Sequence, residues 1–122
     1  MVRDRVLKIV LLLAGLLFVA GLYPLTVFFS QEPAVAMIMS IYVTLGIFLL
    51  LAMRNPAANR SLIAFAGWAN VAHAAVMTVQ EYRHVIEHRE IPGIVLFGIA
   101  GVALVALTPA KRPAERMSAA AA

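Results

Sequence analysis

The sequence contains no cysteine, so neither a disulfide framework nor a thiolate metal site can form within the chain. Charge is also scarce. Only 13% of the 122 residues are Asp, Glu, Lys or Arg, whereas soluble domains have about 25%. In their place the chain is 63% hydrophobic, with a mean hydropathy of +0.92. These proportions are typical of a membrane protein and exclude an ordinary soluble domain.

The basic character of the chain has a different explanation from nucleic-acid binding. The net charge is +4 and the isoelectric point lies near 10.1. However, the Lys and Arg residues lie between apolar blocks and form no continuous basic patch. We therefore predict no nucleic-acid partner and interpret the charge as a signal of membrane topology.

Four runs free of Asp, Glu, Lys and Arg predict four membrane spans. The first run has 22 residues, about 33 Å of helix, which is enough to cross roughly 30 Å of hydrocarbon. Pro24 should kink or end that helix. The remaining tail, 109–122, is predicted to be flexible, and we expect one transmembrane domain. The predicted spans are 9–30, 34–53, 61–79 and 91–108.

The connections between the spans predict the orientation. Eight Lys and Arg residues fall in the N-terminal segment, the second connection and the tail, against two in the other connections. Such an excess marks the cytoplasmic side, so both termini should be cytoplasmic in a multi-pass inner-membrane protein. Because the connections are short, consecutive helices should be antiparallel neighbours. The predicted fold is an all-α, four-helix up-down-up-down bundle with the alanine-rich third helix at its centre.

Several short motifs in the second and third spans resemble those of a protein family. They are Ile41-Tyr42-Val43-Thr44-Leu45-Gly46, Arg54-Asn55-Pro56, Asn59-Arg60-Ser61-Leu62-Ile63, Trp68 and His73-Ala74-Ala75-Val76-Met77. The chain is similar here to an uncharacterised family of small four-helix bacterial membrane proteins. That resemblance implies the same bundle and assigns no function.

A polar stripe on the third helix is the main candidate site. Ionisable residues inside a membrane are costly and are over-represented at functional sites. His73 could bind a haem, a metal or a quinone-like ligand, it could transfer protons, or it could be a neutral imidazole that bonds across helices. A bis-histidine haem would need a second ligand from elsewhere, because the spans hold no other histidine. The polar stripe consists of Asn70, His73, Met77, Gln80 and His84.

The third connection and the spans give no complete catalytic or metal site. His84 and His88 would share a face if the third helix continued through them, but two histidines alone do not complete a metal site. The other interpretation is a solvated loop with balanced charge. No acidic residue lies within a span, and no catalytic set of side chains is recognisable. We therefore assign no catalytic residue and no metal site.

Two main functions remain open on the sequence alone. The first is a non-enzymatic accessory subunit or interaction protein, which contacts the lipid bilayer and other membrane chains or copies of itself. The second is a redox or lipophilic-ligand-binding protein, with haem or quinone bound at the polar stripe. A small channel or transporter is a third idea with less support.

Overall fold

The computed structural model describes residues 2–27 and 29–110, and all regular secondary structure among them is helical. Four stretches are long and apolar enough to cross a membrane, which confirms the predicted number of spans. Two 3-10 turns, Pro56–Asn59 and His88–Glu90, precede the last two helices. The helices are α1 (Val2–Val19), α2 (Leu22–Val27), α3 (Pro33–Ala52), α4 (Arg60–Tyr82) and α5 (Ile91–Leu107).

The helix boundaries lie close to the predicted ones for α3 and α5 and differ elsewhere. The first helix begins at Val2, within the basic segment, rather than at residue 9. Helix α4 continues to Tyr82, past the end of the third span, as the predicted place of Gln80 on the polar stripe requires. Residues 109 and 110 have no regular structure, and the rest of the tail that we predict to be flexible lies outside the described residues.

Pro24 explains the break between α1 and α2. Proline has no N–H and its ring clashes with the carbonyl four residues earlier, here that of Ala20. The Ala20 carbonyl instead accepts a hydrogen bond from the N–H of Tyr23, only three residues later, at 3.1 Å. Two residues earlier, the Gly21 N–H donates to the Phe18 carbonyl at 3.0 Å. The predicted kink is therefore present, centred four residues before the proline.

The chain divides into two compact units, Met1–Pro56 and Ala57–Ala122. In the first unit, α1 and α2 pack against α3. A methyl group placed on Gly46 would lie 2.7 Å from the Gly15 carbonyl oxygen and 2.9 Å from the Val19 nitrogen. Three residues after Gly15, the Phe18 ring meets the Tyr42 ring edge-on at 5.2 Å. A later residue of α1 therefore contacts an earlier residue of α3, so the two helices are antiparallel.

The second unit repeats this arrangement with α4 and α5. A methyl group on Gly101 would lie 2.8 Å from the Val71 nitrogen and 2.9 Å from the Gly67 carbonyl oxygen. Further along, Gly98 faces Ala74 and Gly93 faces Met77, so these helices are antiparallel as well. The hydrophobic effect does not drive helices together within a bilayer, because lipid tails are as apolar as the side chains. Close backbone contact at small residues is instead a main source of attraction. Each unit is thus a helical hairpin that closes on a glycine–glycine crossing.

Candidate functional site

Asn70 is the most deeply buried member of the polar stripe, with 0% of its surface exposed. Its Nδ2 group donates a hydrogen bond to the Ala66 carbonyl of the preceding turn at 2.7 Å. Its Oδ1 atom is buried and has no donor among the described residues. A buried polar atom without a hydrogen-bond partner lowers the stability of a protein by about 1–3 kcal/mol, so this oxygen destabilises the fold.

His73 lies at the contact between the two helices of the second unit. Its ring centroid is 4.5 Å from that of Phe97 on α5, with the ring planes tilted by 50°. The side chain is half-buried. Contact at this distance is within the range of favourable ring pairs and fixes the orientation of the imidazole. The geometry describes a packed histidine.

Met77 and Gln80 continue the polar stripe along α4, and both are half-buried. The Met77 methyl group lies over the first turn of α5, because a methyl placed on Gly93 would be 3.7 Å from it. Together with Asn70 and His73 they remain on one helix face, as offsets of three and four residues require. As a ligand site, this set stays a prediction.

His84 does not belong to that face, and its predicted place on the stripe is wrong. Helix α4 ends at Tyr82, and His84 has a φ of 58°, in the left-handed region. The Val85 N–H bonds the Gln80 carbonyl at 2.8 Å, and the His84 N–H bonds the Glu81 carbonyl at 3.0 Å. These two bonds define a Schellman motif, which terminates a helix and usually places glycine where His84 stands.

The condition under which His84 and His88 would share a helix face is not met, because α4 ends at Tyr82. His88 instead contacts the Glu81 carboxylate through its Nδ1 atom. Glu81 is largely buried, with 17% of its side chain exposed, whereas 78% of the His88 side chain is exposed. Among the described residues no group of three His, Cys, Asp or Glu side chains could hold a metal ion. The Glu81–His88 contact fastens the 3-10 turn to the end of α4.

The hydroxyl groups of the spans bond mostly to their own helices. Each donates to a carbonyl three or four residues earlier, at 2.6–2.9 Å. This internal bonding lowers the cost of burying a hydroxyl in lipid. The residues concerned are Thr26, Ser40, Thr44, Thr78 and Thr108.

An exposed face of α4 is a second candidate that the sequence analysis missed. Its residues recur at alternating steps of three and four, the spacing of a helix–helix contact line. They lie opposite the buried face that carries Ile63, Gly67 and Asn70. The alternating steps were present in the sequence, but alanines occur on every side of this helix and hide the pattern. We call this face the outer seam, and it consists of Phe65, Trp68, Ala72, Ala75, Val79 and Tyr82, all exposed.

Comparison with known proteins identifies the family and adds no function. Neither the curated proteins nor the solved structures contain a match to this chain. A family model covers nearly the whole sequence, which confirms the predicted resemblance to an uncharacterised family. The chain belongs to the family of unknown function DUF6632, whose model matches residues 3–121.

Proposed function

We propose that this protein is a non-enzymatic interaction subunit of the inner membrane, which binds another membrane-spanning chain or a second copy of itself through the outer seam of α4. In this proposal the four spans form an up-down-up-down bundle with both termini in the cytoplasm. The observation that carries it is the composition of the outer seam.

The outer seam has small residues at its centre and aromatic residues towards its ends. Ala72 and Ala75 lie near the middle of α4, with Trp68 on one side of them and Tyr82 on the other. Small residues allow a second helix to approach closely, and close approach is what holds helices together in lipid. Aromatic side chains beyond them supply large contact areas.

The exposed face of α3 offers a comparison within the same protein. It carries large apolar side chains, including Ile38, Ile41 and Phe48. Such side chains are as apolar as lipid tails and suit direct contact with the bilayer. The outer seam of α4 differs because its central residues are alanines. This difference favours α4 over α3 as the docking helix.

The test is purification of a tagged copy from its own host in mild detergent, with quantification of every co-eluting chain by mass spectrometry. We expect a membrane-spanning partner, or a second copy, in a fixed ratio close to one. The double variant Ala72→Leu/Ala75→Leu should reduce recovery of that partner about tenfold or more, because the added side chains block close approach.

The matched control is Ala34→Leu, which makes the same substitution at an exposed position in the first turn of α3. It should leave partner recovery unchanged. Circular dichroism of the variants should match the native chain, because the altered positions are exposed. A native chain that elutes as a monomer without partners would contradict the proposal, as would full recovery of the partner with the double variant.

A further inference from the structure

The first helical hairpin has strongly unequal charges at its two ends. Its α1 begins with Arg3, Arg5 and Lys8, and Arg54 follows the end of α3. Because α1 and α3 are antiparallel and cross at Gly15 and Gly46, these cations come to the same end. The other end, between α2 and α3, carries only one charged residue, Glu32. One end of this hairpin is therefore basic and the other weakly acidic.

Little of this positive charge is neutralised within the hairpin. Asp4 is the single acidic residue at the basic end, and its carboxylate lies 3.5 Å from the Lys8 Nζ atom. Among residues 2–27 and 29–110, neither Arg5 nor Arg54 makes an ion pair, and both are exposed. Two guanidinium groups are thus available to an external anion.

The backbone holds Arg54 at a defined level. Three bonds continue the turn beyond α3, from the N–H groups of Met53, Arg54 and Asn55 to carbonyls of the last helical turn, at 3.1–3.2 Å. The apolar part of α3 ends immediately before this turn, and the apolar part of α1 starts immediately after Lys8. Both arginines therefore stand where the hydrocarbon gives way to the lipid headgroups.

We propose that this basic end binds the phosphodiester headgroup of an anionic phospholipid. A guanidinium group presents parallel N–H donors that match two phosphate oxygens and keeps its charge at any physiological pH. Phosphatidylcholine carries a compensating cation on its headgroup, whereas phosphatidylglycerol does not. Arg5 and Arg54 should accordingly select the second lipid over the first.

The test uses the purified full chain in neutral detergent micelles, with phosphatidylglycerol and phosphatidylcholine of identical acyl chains added in equal amounts. Native mass spectrometry counts the lipids retained by each protein. Micelles remove membrane orientation from the measurement, which matters because the substituted arginines also influence insertion. We expect the native chain to retain mainly phosphatidylglycerol.

The variant Arg5→Gln/Arg54→Gln should lose that preference by about fivefold for each arginine removed. The matched control, Arg83→Gln/Arg89→Gln, removes two arginines from the connection between α4 and α5 and should retain it. Inorganic phosphate exchanged for chloride at constant ionic strength separates a lipid site from a site for free phosphate, because screening is then unchanged and only the latter site would lose its lipid. Equal retention of the two lipids by the native chain would overturn the proposal, and so would equal losses in both variants or displacement by phosphate.

A second measurement covers the case in which the double variant fails to accumulate. Added salt screens exposed charges. The Debye length, beyond which two such charges hardly interact, falls from about 10 Å at 0.1 M to about 3 Å at 1 M. Retention of phosphatidylglycerol by the native chain should therefore fall with salt, while that of phosphatidylcholine should not change. If retention of phosphatidylglycerol did not change with salt concentration, the acyl chains and not the arginines would hold the lipid.

Discussion

Asn70 shows how much stability the burial of a single polar side chain can remove from this fold. Its Nδ2 group is satisfied within α4, yet its Oδ1 atom is buried without a donor. The backbone of α5 offers little help, because its N–H groups are used along the helix. The orphan oxygen therefore lowers the stability of the isolated chain by about 1–3 kcal/mol. Unsatisfied groups of this kind are uncommon in folded proteins and usually have an explanation beyond packing.

His84 gives a test of how α4 is terminated. A left-handed conformation costs an L-residue about 1–2 kcal/mol and costs glycine almost nothing. His84→Gly should therefore increase the free energy of unfolding by up to about 1 kcal/mol. Thermal or denaturant unfolding in detergent, followed by circular dichroism, measures the change.

The control for this residue is His84→Val, because a β-branched side chain tolerates positive φ poorly. It should destabilise the chain where glycine stabilises it. A loss of stability with glycine would show that the imidazole contributes contacts that outweigh the backbone strain.

At the scale of the elements, the two glycine–glycine crossings hold each hairpin together. Gly101→Ala would push a methyl group against the backbone of α4, at 2.8 Å from the Val71 nitrogen and 2.9 Å from the Gly67 oxygen. Backbone atoms cannot move aside as side chains can, so we expect a loss of about 1–3 kcal/mol. Unfolding in detergent can be followed through the fluorescence of Trp68, the single tryptophan of the chain.

Gly98→Ala is the matched control, one turn away on the same helix. Its methyl group would lie 3.9 Å from the Ala74 Cβ atom, an ordinary contact. Alanine also favours helix over glycine by about 1 kcal/mol. This variant should be as stable as the native chain or more stable. Equal losses at both positions would mean that the crossing at Gly101 is not closely packed.

The sequence predicts the elements better than their contacts. Apolar length defines the four spans, and the missing N–H of Pro24 accounts for the kink. The end of α4 was misjudged because helical periodicity carries on to His84, and no glycine marks the left-handed turn. The pairing of Gly15 with Gly46 was not predictable, because nothing local to either residue indicates its partner. Likewise, alanine content alone did not distinguish the buried face of α4 from its outer seam.

The charges of the whole molecule define a testable orientation. Since the native chain has no cysteine, single cysteines can be introduced without background labelling. Glu32→Cys places a thiol between α2 and α3, and Ala57→Cys places one between α3 and α4, both at exposed positions. The excess of Lys and Arg on the Ala57 side predicts that this side is cytoplasmic.

A membrane-impermeant maleimide applied to intact cells should therefore label the Glu32→Cys variant and leave Ala57→Cys unlabelled until the cells are opened. The opposite pattern would reverse the orientation and place the basic end, with Arg5 and Arg54, on the outer surface. Partial labelling of both variants would mean that the chain inserts in two directions. A single orientation would put the Arg5 and Arg54 guanidinium groups against one leaflet, so that the composition of that leaflet alone would govern lipid binding.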